Sequence, residues 1–282
     1  MFFTRPDGRK LKKLHPITTL LPYILDRRVD SQIIYKKTYN CESFDNFISD
    51  EKDRKISYMA IIIAAVVRVF AQRPTLNRFI VNSRIYARDG IYICFVMHRT
   101  FRGDGDETTV KIRFRGDEDI YEVNEILENV IKREMKEENG ADALSKALTS
   151  LPGFLTKIAI KLYKSLDRHN LMPKSVIDAS PFHTSVFITN LKSINLEYAY
   201  HHLYEFGTNG MFIAIGREYH DMVIQKDGSV QNQKLLTLGL VADERICDGL
   251  YLTKSFRLLD KYLKSPGFLC EKLDKIVEDG AL

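Results

Sequence analysis

Apolar and polar residues alternate over residues 108–114, with Val110, Ile112 and Phe114 on one face, and this spacing is typical of a β-strand with one buried face. Strands are predicted over residues 31–39, 108–114, 183–191 and 210–216. Residues 78–101 predict strand, turn and strand, because Asp89-Gly90 is a favoured turn pair between two apolar runs. A longer hairpin is predicted over 221–243, with its turn at Asp227-Gly228.

Helices are predicted where apolar residues recur at intervals of three and four. Residues 56–74 are apolar on nearly every face until Pro74, which predicts a helix buried in the core. Further helices are predicted over 18–28, 119–138, 151–166 and 250–265, the last ending before Pro266, with 194–207 as a helix or an irregular turn. Some strands form hairpins and others are separated by helices, so we expect an α/β fold with helices covering a mixed β-sheet.

The composition indicates one globular domain. The 282 residues are 45% apolar and 28% charged, which is enough apolar material for a large core. We expect a basic arm with a short helix over residues 1–30, the main domain over 31–270 and a tail over 271–282. The longest apolar run, residues 59–67, is too short to span a bilayer.

The net charge and the cysteine content limit which ligands and partners are expected. A net charge of +5 suits an anionic ligand but does not by itself indicate nucleic acid, so no nucleic-acid partner is expected. The cysteines are far apart and lack the C-x-x-C spacing of a zinc site, so no metal is expected; they are Cys41, Cys94, Cys247 and Cys270. Free thiols, together with an N-terminus that lacks the apolar core of a signal peptide, predict a cytoplasmic protein.

Residues 241–249 read VADERICDG and stand where the long apolar strand ends and a helix begins. Asp243, Arg245, Asp248 and Gly249 match a D-H-R-x-x-D-G motif, except at its second position. Three further matches occur in the same order along the chain: PTLN at 74–77, FITNL at 187–191 and IAIG at 213–216. Over about residues 30–270 the chain therefore resembles the catalytic domain of the dihydrolipoyl acyltransferase component of 2-oxoacid dehydrogenase complexes. It resembles chloramphenicol acetyltransferase more distantly.

The resemblance implies a two-layer α/β domain that assembles as a homotrimer and uses coenzyme A or acyl-CoA as cosubstrate. In the family, the cosubstrate and the acyl acceptor enter a channel at the subunit interface from opposite sides. A histidine takes the proton from the acceptor thiol or hydroxyl, and a serine or threonine of the neighbouring subunit binds the oxyanion. The resemblance assigns the oxyanion role to Thr189, beside Asn190, with Ser185 or Ser180 as alternatives if the register differs.

Asp248 and Arg245 of the motif have expected structural roles. Asp248 is expected to cap the helix that starts beside Gly249, or to form an ion pair there. Arg245 is expected to pair with Asp248 or Asp243. The resemblance also implies a tie from Asp248 to an arginine near the N-terminus, such as Arg27 or Arg28. No glycine-rich phosphate loop is present, so the residues that contact coenzyme A stay unassigned.

Glu244 occupies the position at which the family has its catalytic histidine. A carboxylate in water has a pKa of about 4.3 and a thiol of about 8.5, so proton transfer is disfavoured by about 5 kcal/mol. Burial raises a glutamate pKa and narrows that gap. The alternative bases are His201 and His202, which follow the FITNL strand by about ten residues and also suit a plain helix face; His183 is a weaker alternative.

Three hypotheses follow for function. The first is an acyltransferase with a remodelled centre, acting on a small-molecule acceptor or on a lipoyl group carried by another protein. We expect no lipoyl or subunit-binding domain here, because only about 30 residues precede residue 31 and they show no lipoyl-lysine setting. The second is a catalytically impaired relative that binds coenzyme A or an acyl ligand, or acts as a trimeric scaffold. The third is membrane-surface association through the basic, amphipathic helix 151–166. We do not expect a membrane partner, since such a helix more commonly packs on its own domain.

Overall fold

The structure is a computed structural model of the 282 residues, and it describes residues 5–99, 107–137 and 139–281. Four predicted segments therefore extend outside the described residues: the arm over 1–4, the strand over 100–101, the helix at 138 and the tail at 282. Within the described residues, the elements form two unequal β-sheets and a layer of helices.

The main sheet is mixed and runs in the order β2-β10-β8-β7-β5-β6, with β9 paired to the first half of β10. Its strands are β2 (Gln32–Asn40), β5 (Ile91–His98), β6 (Glu107–Phe114), β7 (Val186–Asn190), β8 (Met211–Ile215), β9 (Tyr219–Ile224) and β10 (Val230–Asp243). β7 runs parallel to β5 and β8, and the other pairs are antiparallel. The predicted α/β fold with a mixed sheet is confirmed.

A second, smaller sheet accounts for a prediction that was wrong. Residues 78–101 were expected to contain one turn, but the chain also reverses at Asn82 and Ser83, which both adopt left-handed backbone conformations. The first predicted strand is therefore two, β3 (Arg78–Val81) and β4 (Arg84–Arg88), and β1 (Gly8–Lys10) pairs with the outer edge of β4. The expected turn at Asp89-Gly90 then leads into β5, with Gly90 at φ 102°.

Helices cover one face of the main sheet, and α3 (Tyr58–Gln72) lies at the centre of that layer. Ser57 starts α3 by accepting a hydrogen bond from the Ala60 amide. The α-helix ends at Gln72, and Pro74 begins a short 3-10 helix over Pro74–Asn77. Twelve of its fifteen residues are buried, as the all-round apolar pattern predicted. The neighbouring helices of the layer are α2 (Glu42–Asp50), α4 (Ile120–Glu134) and α8 (Gly249–Lys264).

The opposite face of the sheet carries an irregular segment instead of a second helical layer. After β7 the chain makes a 3-10 turn over Leu191–Ile194 and then crosses the sheet without regular structure until β8. Of the two predicted alternatives for residues 194–207, the structure has the irregular one. The remaining helices are α1 (Pro16–Ile24), α5 (Gly140–Thr149), α6 (Gly153–Arg168) and α7 (Lys174–Ala179).

Residues at both ends of the described chain contact this unit. β1 of the N-terminal arm pairs with β4, so the arm contributes a strand to the small sheet. Near the C-terminus, Asp279 forms a paired salt bridge with Arg78, with a nitrogen–oxygen distance of 2.6 Å. The Val277 amide donates to the Ala71 carbonyl at the end of α3.

Candidate active site

The turn that follows β10 is fixed by the buried carboxylate of Asp243. Arg245 reaches back and donates to both of its oxygens, at 2.8 Å from Nε and 2.7 Å from Nη2. Arg28 approaches from the start of β2, with Nε 3.5 Å from the second oxygen. All three side chains are 5% exposed or less. Breaking such a buried, hydrogen-bonded cluster leaves an unpaired charge, so the turn is held rigidly.

The expected tie between Asp248 and an N-terminal arginine is wrong. Asp248 lies exposed at the start of α8 and accepts the Tyr251 amide at 2.8 Å, which is the helix-capping role expected of it. Arg28 is buried at the sheet end and faces Asp243, while Arg27 is exposed and pairs with Asp30. Of the two expected partners of Arg245, the structure has Asp243. Gly249, at the first helical position, has open space beside it.

Glu244 lies at the tip of this turn. Its backbone amide donates to the Ser31 carbonyl at 2.9 Å, which ties the turn to the start of β2. Its side chain is half-buried, and its carboxylate forms no hydrogen bond or salt bridge with any residue that the structure describes. The Glu244 carboxylate is therefore available to a ligand.

Arg28 also attaches the irregular segment to the same turn. Its guanidinium donates to the carbonyls of Tyr204, Glu205 and Gly207. The Glu205 carboxylate accepts the Arg28 amide at 2.9 Å in return. Burial lowers the pKa of Arg28, and Asp243 opposes that effect. No motif in the sequence indicates these contacts of Arg28, beyond the presence of Arg27 and Arg28 in the arm.

His201 and His202 lie on the irregular segment over the sheet. The His201 ring stacks on Phe212 of β8 with a centroid distance of 4.0 Å and planes 3° apart. The His202 ring is exposed and lies 4.8 Å from the His201 ring. His201 is therefore held over the middle of the sheet, whereas His202 points its ring toward solvent.

Strand register relates these residues to Thr189. On the face that carries the irregular segment, Phe187, Phe212 and Val241 form one cross-strand row. Thr189 is one row further along, since it pairs with Ala214, which pairs in turn with Gly239. Asp243 is one row away in the other direction, so His201 lies above the row between Thr189 and Asp243.

Thr189 and Glu244 do not meet within one chain. β7 and β10 run in opposite directions, so the two residues follow opposite ends of the sheet. Gly239 is level with Thr189 and is four residues before Asp243, a distance of roughly 13 Å along the strand, and Glu244 lies beyond. A reaction centre that uses both residues needs two copies of the chain.

Two glycines seat the irregular segment against the sheet. A Cβ on Gly216 would lie 1.6 Å from the Glu197 carbonyl oxygen, and one on Gly239 would lie 2.1 Å from that of Ala199. Only glycine allows so close an approach of two backbones. Gly216 ends the IAIG motif and was therefore noticed in the sequence, whereas Gly239 belongs to no motif.

The other candidate residues on β7 and before it have structural partners. Asn190 caps the 3-10 turn by accepting the Lys192 amide at 3.1 Å. The Ser185 hydroxyl donates to Asn77 and accepts the Tyr92 amide, so it is fully used. Thr189 is half-buried, and its hydroxyl has no partner among the described residues. Of the three hydroxyls considered for the oxyanion, Thr189 alone is both accessible and unpaired.

Ser180 and His183 belong to a buried polar network under the small sheet. His183 Nδ1 lies 2.8 Å from the Ser180 hydroxyl, and its Nε2 lies 3.2 Å from Asp167. Asp167 also accepts from Arg5, which pairs with Asp7 at 2.7 Å. Burial lowers the pKa of His183, although Asp167 acts in the opposite direction. Ser180 and His183 are each 1% exposed, so this serine–histidine–aspartate line does not reach substrate.

A polar cavity of about 370 Å³ lies beside the Asp243 turn. Its lining includes Arg28, Arg245, Glu205 and Asp167, so it joins the turn, the irregular segment and the end of α6. Within the described residues, no group of three or more histidine, cysteine or acidic side chains has the arrangement of a metal site. In the same part of the chain, no helix combines the length and apolarity that crossing a membrane requires.

α6 departs from the packing expected for helix 151–166. Asp167 is its one buried residue. Phe154, Ile158 and Leu162 are 66%, 58% and 57% exposed, although they form the apolar face that was expected to pack on the domain. The helix is held instead through Asp167 and through Tyr163, whose ring contacts Phe206.

Comparisons with known proteins agree on the fold. A scan of the sequence against protein-family models finds no match, and neither does a search of curated proteins. Among solved structures, a probable dihydrolipoamide acetyltransferase from Listeria monocytogenes 4b F2365 has a TM-score of 0.53 at 14% identity, covering 90% of this chain and 94% of that one. A truncated catalytic core of the 2-oxoacid dehydrogenase multienzyme complex from Thermoplasma acidophilum has a TM-score of 0.54 at 15% identity, covering 92% and 99%.

A chloramphenicol acetyltransferase gives a TM-score of 0.56 at 10% identity, covering 91% of this chain and 99% of that one. The alignments extend over nearly the whole length of both partners in each case, at identities that sequence comparison does not detect. The chain therefore has the fold shared by chloramphenicol acetyltransferase and the catalytic cores of dihydrolipoyl acyltransferases, as the motif order indicated.

Proposed function

We propose that the protein is a coenzyme A-dependent acyltransferase whose reaction centre lies between Glu244 of one subunit and Thr189 of the next. The observation that carries the proposal is the rigid Asp243 turn, whose tip bears the Glu244 carboxylate without a partner among the described residues. By the resemblance, this is the motif position at which the family has its catalytic histidine. The fold supports it, since the solved structures that share it include acetyltransferases. An Azotobacter vinelandii dihydrolipoamide acetyltransferase with this fold has been studied for the roles of a serine, a histidine and an asparagine in catalysis.

The described residues fit acyl transfer from a thioester. Coenzyme A supplies the activated acyl group when bound. The Thr189 hydroxyl is free to donate to the oxyanion that forms as the acceptor attacks. Glu244 is the first candidate for the proton acceptor, and His201 is the second because it lies over the row next to Thr189. His202 is the third, since its ring is adjacent to that of His201 but exposed.

We propose a homotrimer as the active form, because the two halves of the centre lie at opposite ends of one sheet. Exposed apolar side chains support contacts between copies. Met222, Ile224 and Val230 are exposed on the β9–β10 hairpin, which extends beyond the rest of the sheet. Tyr198 and Tyr200 are exposed on the irregular segment. The acceptor is a small molecule or a lipoyl group carried by another protein, and the four free cysteines suit a reducing cytoplasm.

The test is calorimetric titration of the purified protein with coenzyme A and with acetyl-CoA at two pH values. Saturable binding in the micromolar range, followed by release of coenzyme A when an acceptor is added, is the expected result. Binding without turnover for any acceptor would identify a catalytically impaired relative that binds the cosubstrate. The absence of heat and of a thermal shift at millimolar ligand would leave a trimeric scaffold and overturn the proposal.

The exposed face of α6 favours a second candidate function, association with an anionic lipid surface. On a helical wheel, Phe154, Ile158 and Leu162 are neighbours, and Lys157, Lys161 and Lys164 form a strip along one side of them. Flotation with vesicles of phosphatidylserine and phosphatidylcholine tests it. Retention that is lost in Phe154→Ser and unchanged in the Leu171→Ser control supports this function, and sedimentation without vesicles overturns it.

A further inference from the structure

Neither of the arginines beside Glu244 pairs with its carboxylate. Arg245 directs its guanidinium to both oxygens of Asp243 and to the Leu25 carbonyl. Arg28 directs its guanidinium to Asp243 and to three carbonyls of the irregular segment. The two arginines carry one positive charge more than Asp243 neutralises, but both are fixed inside the turn and neither forms a hydrogen bond or salt bridge with Glu244.

The exposed charged groups on the elements that surround Glu244 are mostly acidic. On the strand start before β2, Asp30 is exposed and its partner is Arg27, at 3.9 Å. On the irregular segment, Glu205 is exposed and accepts a backbone amide rather than a cation. Four residues after Glu244, the exposed Asp248 also accepts a backbone amide. Five carboxylates stand against three arginines here, which leaves two negative charges in excess and favours a cationic ligand at this turn. The carboxylates are those of Asp30, Glu205, Asp243, Glu244 and Asp248, and the arginines are Arg27, Arg28 and Arg245.

From these contacts we infer that the acyl acceptor is a primary amine, which reaches the site as an ammonium ion and pairs with Glu244. The inference rests on the proposed acyltransferase function and specifies its acceptor. An amine acceptor accounts for a glutamate, Glu244, at the motif position where the family has a histidine. A neutral thiol or hydroxyl offers no charge to this carboxylate, whereas an ammonium ion does.

Amines also need a weaker base than thiols do. A thiol reacts as its thiolate, so the base must remove the proton before or during attack. A neutral amine already has a free electron pair, and its proton becomes acidic only after nitrogen has bonded to the carbonyl carbon and become positively charged. A carboxylate accepts a proton from that cationic nitrogen readily.

The reaction balances as follows. The ammonium ion loses one proton to solvent from the half-exposed site, and the neutral nitrogen attacks the thioester carbonyl. The carbon–nitrogen bond forms, Thr189 of the neighbouring subunit donates to the oxyanion, and Glu244 takes the remaining extra proton from nitrogen. The carbon–sulfur bond then breaks and Glu244 returns the proton to sulfur. The products are an amide, coenzyme A as its thiol, and one proton released to solvent.

The experiment uses three acceptors with one carbon skeleton: phenethylamine, 2-phenylethanol and 2-phenylethanethiol. Each is incubated with acetyl-CoA and the full-length protein, and acetylated product is measured by mass spectrometry. We expect acetylation of the amine to exceed that of the alcohol and the thiol by about 100-fold after correction for the uncatalysed rates, in line with the contribution of a positioned base. The rate with the amine is expected to rise with pH as the neutral fraction of the amine increases.

Variants separate the charge of Glu244 from its shape. Glu244→Gln keeps the size of the side chain and is expected to lower kcat/KM for the amine by about 100-fold. Glu244→His is expected to shift preference from the amine toward the thiol, because an imidazole is a stronger base without a fixed negative charge. Glu42→Gln, on the exposed side of α2 in the helical layer, is the matched control and is expected to leave all three rates unchanged.

The experiment distinguishes failure of the amine inference from failure of the proposed acyltransferase function. If acetyl-CoA binds and the alcohol or thiol is acetylated in preference to the amine, the amine inference is overturned and the acyltransferase function stands. If acetyl-CoA binds and none of the three acceptors reacts, the inference is likewise overturned. If acetyl-CoA does not bind, both the inference and the proposed function fail.

Discussion

The Nε atom of Arg28 lies 3.5 Å from an Asp243 carboxylate oxygen and joins the start of β2 to the end of β10. The same guanidinium holds three carbonyls of the irregular segment. One buried side chain thus fixes the relative positions of the Glu244 turn and of the segment that carries His201. The candidate site depends on residues that come from three separate parts of the sequence.

Removing the Arg28 charge is expected to destabilise the fold strongly. Arg28→Leu leaves Asp243 buried with one partner fewer, and breaking a buried pair costs about 3–5 kcal/mol. Arg27→Leu is the matched control, because the neighbouring side chain is exposed and its ion pair contributes little. Chemical denaturation of both variants checks the prediction. Equal free energies of unfolding for the two would show that these contacts of Arg28 do not stabilise the turn.

The two halves of the proposed centre are expected to complement each other across subunits. Thr189→Val removes the oxyanion donor and is expected to lower kcat by about 100-fold, with little change in KM. Glu244→Gln removes the base. When the two inactive variants are unfolded together and refolded as mixed trimers, about a quarter of the sites regain both groups, by the statistics of a closed ring. Recovery of activity on mixing checks this, and its absence would place the whole centre within one chain.

The glycines under the irregular segment are expected to tolerate no side chain. In Gly239→Ala the new methyl group meets the Ala199 carbonyl oxygen, and because this contact is with backbone, the segment must shift. We expect a loss of about 1–3 kcal/mol in the free energy of unfolding and a reduced acetyl-transfer rate. Gly267→Ala is the control, since its Cβ enters open space at an ordinary backbone conformation. If thermal denaturation gives both variants the Tm of the parent protein, the close approach of the irregular segment to the sheet does not require glycine at residue 239.

Acid is expected to destabilise the protein through His183. Burial lowers the pKa of His183 below its ordinary value of 6.5, so the folded state binds the proton less readily than the unfolded state does. The stabilisation is fully present above pH 6.5 and is lost as pH falls through the lower pKa of the folded state. His183→Gln is therefore expected to flatten the fall of Tm in that range, and the exposed His15→Gln is expected to leave it unchanged.

Asp7 and Asp167 extend the acid sensitivity to lower pH. Burial raises the pKa of each, but hydrogen bonds and charges from Arg5 and His183 outweigh it and place both values below 3.8. Their contribution is fully present above pH 3.8 and is lost as pH falls through the folded-state values. Asp167→Asn is expected to remove part of that loss in Tm measurements between pH 4 and pH 2, whereas the exposed Asp53→Asn retains the parent curve.

The spacing of apolar residues along the sequence predicted the helices and strands that bury one face or all of their faces. The helix over 56–74, the hairpin ending at Asp243 and the α8 helix follow directly from the spacing of apolar residues, because burial imposes that spacing on any chain. The extra turn at Asn82-Ser83 was missed, since those residues also occur within loops and strand ends. The motif order indicated the fold because the motifs mark strand ends and tight turns.

The sequence by itself determined the α/β class, the position of the turn after β10 and the glutamate at its tip. The tertiary structure decided which arginine meets Asp243, which hydroxyl stays free and which histidine lies over the sheet. These outcomes depend on contacts between residues far apart in the chain, such as Arg28 with Gly207 and Gly239 with Ala199. Local propensity carries no information about such contacts, because they form only when strand register and direction are fixed.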